Sequence, residues 1–354
     1  MPNHPSKLPE PTLFGKILAL TIGLVLLVII AEICTRMIMP HWKNFQSGSF
    51  MRLTQVPGHT NVTTGVPGFD DYFAQNNGDF KVRIEINDFG LRNPDPVNKA
   101  DKRIWVIGDS MTFGWGVEQE QMYSSLLANI SGHKTYNIAS PGTTVCGYQA
   151  LVGRMPKNIK PSAVVVGLIL ENDILRYNCK AQAQENKSNF KLPEAHTFFD
   201  FKKFLTHNLA LYNFVALSLK KIPLINSTLV YLGLVAEPHT YHQKFRDDEL
   251  FDATRETVQE LSNLKRQFPF GTPFAVLIAP ARFEIKDSSP LYQKLRKEII
   301  NALDKVDITT IDPIDGFLEY GFSATHFAHD GHWNVLGHQI AATAINNWIL
   351  TLSK

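Results

Sequence analysis

Cysteine is scarce in this chain, with three among 354 residues: Cys34, Cys146 and Cys179. Three cannot staple a small disulfide scaffold, and their spacing matches no zinc motif. An excess of either charge is also missing, since 35 Lys and Arg face 33 Asp and Glu for a formal net charge of +2. No run of basic residues interleaved with aromatics occurs, so the sequence points to no nucleic-acid partner. No internal repeat recurs, which argues against a solenoid or propeller. The chain is nevertheless 44% hydrophobic, enough for one large core or a core plus a smaller appendage.

One long apolar run is present near the start. "ILALTIGLVLLVIIA" (17–31) is uninterrupted, and Leu13, Phe14 and Ile33 extend it past Lys16 and Glu32. The stretch approaches the roughly 20 residues that a bilayer-spanning helix needs, and Lys16 can snorkel at one end. A cleaved signal is the rival reading, but no Ala-x-Ala site follows, and bulky Ile33 spoils a lipoprotein site at Cys34. A helix buried in a core is the third reading. The expectation is an uncleaved single-pass anchor at about 13–38, with the membrane as partner. Lys7 and Lys16 precede it while Arg36, Lys43 and Arg52 follow, so charge does not set the orientation.

Three regions follow from composition and pattern: an N-terminal region with the anchor (1–39), a connector with accessory strands (40–100), and an α/β domain (101–354). Residues 40–80 are rich in Gly, Pro, Asn and Thr without periodicity, and read as irregular. "KVRIEIN" alternates Val82, Ile84 and Ile86 with polar residues, which predicts a half-exposed strand turning at Asn87-Asp88. From residue 101, short apolar runs predict buried strands at 103–108, 135–139, 163–170, 273–280 and 307–312. Helical patterns separate them. The clearest begins at Asp247, with Leu250, Val258, Leu261 and Leu264 on one face. Alternating strands and helices predict a parallel sheet covered on both sides. Residues of about 180–245 break the rhythm and read as an insertion over or beside the sheet.

The first of these strands stops at Gly108-Asp109-Ser110, and "MTFGWGV" follows. A polar turn before a helix is the bland explanation, and a lone serine hydroxyl is a weak nucleophile without a base. The later strands supply company for it. Gly142 follows the second and Asn172 the third, while Asp330 and His332 precede the last helix. Ligands of open α/β sheets bind at the carboxyl ends of the strands. A nucleophile, two neutral donors and an acid–imidazole pair at one edge are the parts of acyl-transfer chemistry.

Four blocks in this order resemble those of the SGNH (GDSL-type) hydrolase family: "VIGDSMTFGWGV", "NIASPG", "LENDI" and "DGHWNVLG". "INDFGLRN" resembles the lead-in of membrane-anchored bacterial members. The likeness spans roughly 100–354 and leaves the insertion unmatched. It implies a flavodoxin-like three-layer α/β/α sandwich and an esterase or acyltransferase, with the domain on the outer side of the membrane. Ser110 would be the nucleophile, His332 its base and Asp330 the base's partner, with Asp109 and Asp173 as competitors for that last role. The Ser110 and Gly142 NH groups and the Asn172 side chain would form the oxyanion hole.

One departure concerns the histidine block, where a single residue rather than two separates Asp330 from His332. That spacing resembles SGNH-like O-acetyltransferases of extracellular polysaccharides, so the acceptor, water or sugar, stays open. The leading expectation is a membrane-anchored serine esterase acting on an O-acyl ester of a glycan or lipid, without cofactor. An O-acetyltransferase served by a membrane acyl donor is the first alternative, and a non-catalytic scaffold the second. Three further features have bland readings. The histidines at 326, 329, 332 and 338 lack a carboxylate or cysteine at ligand spacing, so no metal site is expected. Cys146 and Cys179 are either bonded or two buried thiols, and the apolar stretch 203–236 reads as packing rather than an acyl pocket.

Overall fold

The computed structural model describes residues 12–75, 78–188, 204–205, 208–220, 222–231 and 247–352. Its contacts divide the chain into two compact units, Asn44–Glu194 with Glu237–Lys354, and Met1–Lys43 with Ala195–Ala236. The first unit holds nine strands: β1 Met51–Thr54, β2 Val62–Gly65, β3 Asp70–Ala74, β4 Lys81–Glu85, β5 Ile104–Gly108, β6 Thr135–Ala139, β7 Ala163–Ile169, β8 Phe274–Ala279 and β9 Thr309–Ile311.

Strands β5 to β9 form one parallel sheet in the order β6-β5-β7-β8-β9. This is the doubly wound, flavodoxin-like order, in which the chain reverses direction between β5 and β7. Every residue of β5, β7 and β8 is buried, as expected of parallel strands covered on both faces. Successive side chains go to opposite faces. Trp105, Ile107, Val164, Val166, Val276 and Ile278 pack with Tyr148, Leu261, Leu264 and Leu295. Ile104, Val106, Val165, Ala275 and Leu277 pack with Tyr123, Leu127, Ala341 and Ile345. Two helix layers therefore enclose the sheet, and removing a buried leucine such as Leu261 costs about 2–5 kcal/mol. Helix Asp247–Lys265 buries Leu250, Val258, Leu261 and Leu264, the face its period predicts.

The stretch 40–80 departs from the irregular reading. β1 pairs with β2 and β3 with β4, both antiparallel. β4 is the strand that the alternation of Val82 and Ile84 predicts, whereas β1 to β3 are four or five residues long without a clear period. Aromatic packing fixes them instead: Phe50, Phe73 and Phe80 cluster with Val82, Ile84 and Phe113.

In the other unit, Leu13–Ile38 is one helix whose most apolar window has mean hydropathy 2.9 and no buried residue. Among the described residues it is the helix long and apolar enough to cross a membrane. The Glu32 carboxylate accepts the Ala210 and Leu211 N–H groups at 3.0 and 2.8 Å and Arg36 Nε at 2.7 Å. The one acid of this helix thus caps helix Ala210–Lys220. The described middle of the insertion groups with the N-terminal helix and not with the sheet unit. The parts of the insertion at 189–203 and 232–246 lie outside the described residues.

Candidate active site

The carboxyl ends of β5, β6 and β7 and the loop before the last helix, Val335–Leu352, meet at a cleft of about 280 Å³. Ser110, Gly142, Asn172, Asp330 and His332 all line it. Ser110 opens a short helix, Ser110–Phe113, directly after β5, and the Asp109 side chain caps it by accepting Met111 N–H at 2.9 Å.

His332 Nε2 lies 2.8 Å from Ser110 Oγ, and its Nδ1 is hydrogen-bonded to Asp330 Oδ1. A carboxylate only accepts, so Nδ1 carries the proton and Nε2 is left to accept from the serine hydroxyl. Gly331 makes the short Asp330–His332 spacing workable. Its φ of +80° turns the chain back within one residue, a conformation other residues rarely adopt. A Cβ there would also strike Arg282 Nη1 at 2.4 Å. Gly142 has φ +71° with nothing within 4 Å of an added Cβ, so its backbone angle and not space calls for glycine.

The other two candidate acids are occupied elsewhere. Asp173 is fully buried, and its Oδ2 accepts Tyr148 O–H and Ile169 N–H, each at 2.8 Å. Burial and then the nearby Asp109 charge push its carboxyl well above the usual range. Asp109, also buried, is pushed up to about 6, against the opposing effects of the Met111 N–H, the His332 charge and the Asn172 side chain. Asp330, on the loop before the last helix, is the acid that instead stays low. Burial raises it, but the hydrogen bond and charge of His332, with a further hydrogen bond from Gln75, outweigh burial.

Five neighbours carry no role in the sequence reading, although Trp115, Glu171 and Arg92 fall inside the quoted blocks. Gln75, at the end of β3, donates its amide to Asp330 Oδ2. The Trp115 ring lies over the His332 imidazole. Glu171 and Arg282 form a buried ion pair in the cleft wall, with Nη2 to Oε2 at 2.9 Å. Arg92 is fully buried and holds the backbone beyond Ser110, reaching Gly114 O at 2.6 Å and Val117 O at 2.8 Å. Gln75 and Arg282 lie outside every quoted block and had no signal at all.

The remaining histidines are placed apart. His338 Nδ1 accepts Tyr123 N–H at 3.2 Å, and His326 Nδ1 meets Thr325 Oγ1 at 2.9 Å. Burial pushes both imidazoles down to about 3, so they are neutral at ordinary pH. His329 pairs with Asp79. Among the described residues no group of three His, Cys, Asp or Glu side chains is arranged to hold a metal. Cys146 and Cys179 form a disulfide, with Cα atoms 5.2 Å apart.

No family model and no curated protein matches the chain. Among solved structures it is similar to a lipolytic G-D-S-L family member from Veillonella parvula, at 12% identity and TM-score 0.35, covering 70% of this chain and 97% of that one. It is also similar to a family two carbohydrate esterase from Clostridium thermocellum, solved with cellohexaose, at 13% identity and TM-score 0.39, covering 74% and 66%. A GDSL-like lipase from Bacteroides thetaiotaomicron gives 13% identity and TM-score 0.35, covering 73% and 93%.

Proposed function

We propose that this chain is a membrane-anchored serine esterase of SGNH type that cleaves an O-acyl, foremost acetyl, ester of a carbohydrate or lipid. The observation that carries this reading is the 2.8 Å contact of His332 Nε2 with Ser110 Oγ while Asp330 occupies Nδ1. In the reaction, Ser110 Oγ attacks the ester carbonyl carbon as His332 takes the hydroxyl proton, and Asp330 stabilises the resulting imidazolium. The Ser110 and Gly142 N–H groups and the Asn172 side chain receive the oxyanion, each worth roughly 2.7–4 kcal/mol in the transition state. His332 returns the proton to the leaving alcohol. Water, deprotonated by the same imidazole, then releases the acid from Ser110.

Hydrolysis is favoured over transfer to a sugar because the sequence offers no acyl-donor-binding motif, and 24% of the His332 side chain is within reach of solvent. The helix Leu13–Ile38, long and apolar enough to span a bilayer, supports the anchored reading, and the Cys146–Cys179 disulfide supports an oxidising, exported location.

Mass spectrometry of the full chain after treatment with a fluorophosphonate tests the reading. The adduct is expected on Ser110 and is expected to vanish in Ser110→Ala and His332→Ala. Folded protein that neither labels nor turns over an activated acetyl ester would return the scaffold reading. Following acetate and acetylated sugar together, in the presence of oligosaccharides, decides the acceptor.

A further inference from the structure

Outside the five residues of the sheet edge, the connector sends one side chain into the site. β3 and β4 pair in register from Asp70 with Glu85 to Ala74 with Lys81. The tip of this hairpin lies against the loop that carries Asp330 and His332. We propose that Gln75, at this tip, is a positioning residue for the reaction, holding the Asp330 carboxylate in the one orientation that serves His332.

The need follows from the short spacing. Asp330 and His332 are two positions apart on one loop, so the pair bonds locally and no second element of the sheet edge fixes the acid. An aspartate carboxyl turns through a broad torsional well at χ2. The Asp330 side chain is only 8% exposed, so water cannot satisfy both oxygens. One oxygen takes His332 Nδ1, and the Gln75 amide takes the other. Occupying both oxygens from opposite directions defines the plane of the carboxylate and hence the direction of the imidazole.

The hairpin is anchored well enough to do this. Gln75 N–H donates to Phe80 O at 3.0 Å, which fixes the residue in the turn. Asp79, on the same turn, accepts His329 N–H at 3.0 Å and meets His329 Nδ1 at 2.7 Å. The Phe80 ring packs on Phe327 at 5.2 Å, and Phe327 N–H donates to His332 O at 2.9 Å. The loop 327–332 is thus held by the hairpin through Asp79 and Phe80 as well as Gln75.

This inference rests on the reading of Ser110, His332 and Asp330 as a hydrolytic unit, and the test separates the two. Full-length wild type, Gln75→Leu and Gln75→Glu are compared on an activated acetyl ester, with folded active sites counted by fluorophosphonate titration. Gln75→Leu, which has no donor, is expected to lower kcat per titrated site by about 10- to 100-fold with KM little changed, as small misplacements of catalytic groups do. Gln75→Glu places a second carboxyl beside Asp330, which donates only when protonated. Its kcat relative to wild type is expected to rise as pH falls, while the Gln75→Leu ratio stays flat. Equal kcat per site in all three proteins, whatever their thermal stability, would show Gln75 to be structural alone. Parallel pH profiles for the two variants would also overturn the proposal. A wild type that neither titrates nor turns over would remove the hydrolytic reading beneath it.

Discussion

The rings of Trp115 and His332 lie face to face, with centroids 5.7 Å apart and planes inclined by 30°. Phe73 meets the same tryptophan edge-on at 4.7 Å, so the imidazole is backed by the aromatic cluster of the accessory hairpins. A contact of this kind contributes about 0.5–1.5 kcal/mol. Trp115→Leu is therefore expected to lower kcat by about two- to tenfold, with Trp115→Phe intermediate. Steady-state kinetics on an activated ester, corrected for folded fraction, checks this. A Trp115→Leu protein with unchanged kcat would mean that His332 holds its orientation without the ring.

Ser110 and His332 share one proton, so neither is useful without the other. Ser110→Ala and His332→Ala are each expected to reduce turnover to near background, and the double variant to be hardly worse than either, as in other triads. Losses that multiply in the double variant would separate the two residues and dissolve the unit.

The parts of this arrangement that were legible in sequence share one property: each is encoded locally. β5, β7 and β8 are buried on both faces and read as unbroken apolar runs. Ser110, Gly142 and Asn172 follow such runs, and Asp330 with His332 sits in a compact block. The illegible parts are pairings at long range. Gln75 and Asp330 lie 255 positions apart, and nothing near either residue signals the other. β4 was legible from the alternation of Val82, Ile84 and Ile86, but β1 to β3 went unseen because four or five residues hold little alternation. The grouping of the insertion with the N-terminal helix was not legible because Glu32 reads as the edge of a span and is a cap for helix Ala210–Lys220.

Arg92 has no carboxylate partner among its bonds, only carbonyl oxygens: those of Arg83, Phe113, Gly114 and Val117. Burial pushes its guanidinium down to about 10, still charged at neutral pH. Arg92→Met would leave these carbonyls unpaired in the interior at roughly 2–5 kcal/mol. Arg92→Lys is expected to rescue little of this, because one ammonium cannot span the fork. Urea unfolding gives the cost directly. A lysine variant as stable as wild type would show that charge alone suffices.

The disulfide ties the start of helix Val145–Gly153, just past Gly142, to Cys179, just past Asn172. Two residues of the proposed oxyanion hole, Gly142 and Asn172, thus lie on loops whose ends are joined. Closing 33 residues is worth about 3–4 kcal/mol in the chain-entropy account. Cys146→Ser with Cys179→Ser is expected to lower the urea midpoint accordingly and to reduce kcat through loosened donors. Non-reducing peptide mapping of protein from its own membrane should show the linked peptides. Two alkylatable thiols in that sample would remove the bond and the argument for an oxidising location with it.

The buried acids behind the cleft contribute a pH dependence to stability. Asp109 is raised from 3.8 to about 6 and Asp173 well above the ordinary range, burial being the first cause of both. Between the ordinary carboxylate range and these raised values the two acids hold more protons in the folded state than in the unfolded chain. Their contribution to stability therefore falls as pH rises through that window, while His326 and His338, held neutral by burial, contribute in the opposite sense. Asp330 acts in the opposite sense, but its carboxyl lies below 3.8, so its contribution is lost only in stronger acid. Asp173→Asn removes the more strongly shifted group and keeps an amide oxygen to accept from Ile169 N–H and Tyr148 O–H. The change in stability from about pH 4.5 to pH 7.5 is expected to be less unfavourable in the variant than in wild type, a range that starts above the unperturbed carboxylate and spans the Asp109 value. Urea unfolding of both proteins at the two ends of that range measures the difference. Identical losses in the two would mean that Asp173 is already ionised at low pH, and that the acid pair does not share its charge as the burial demands.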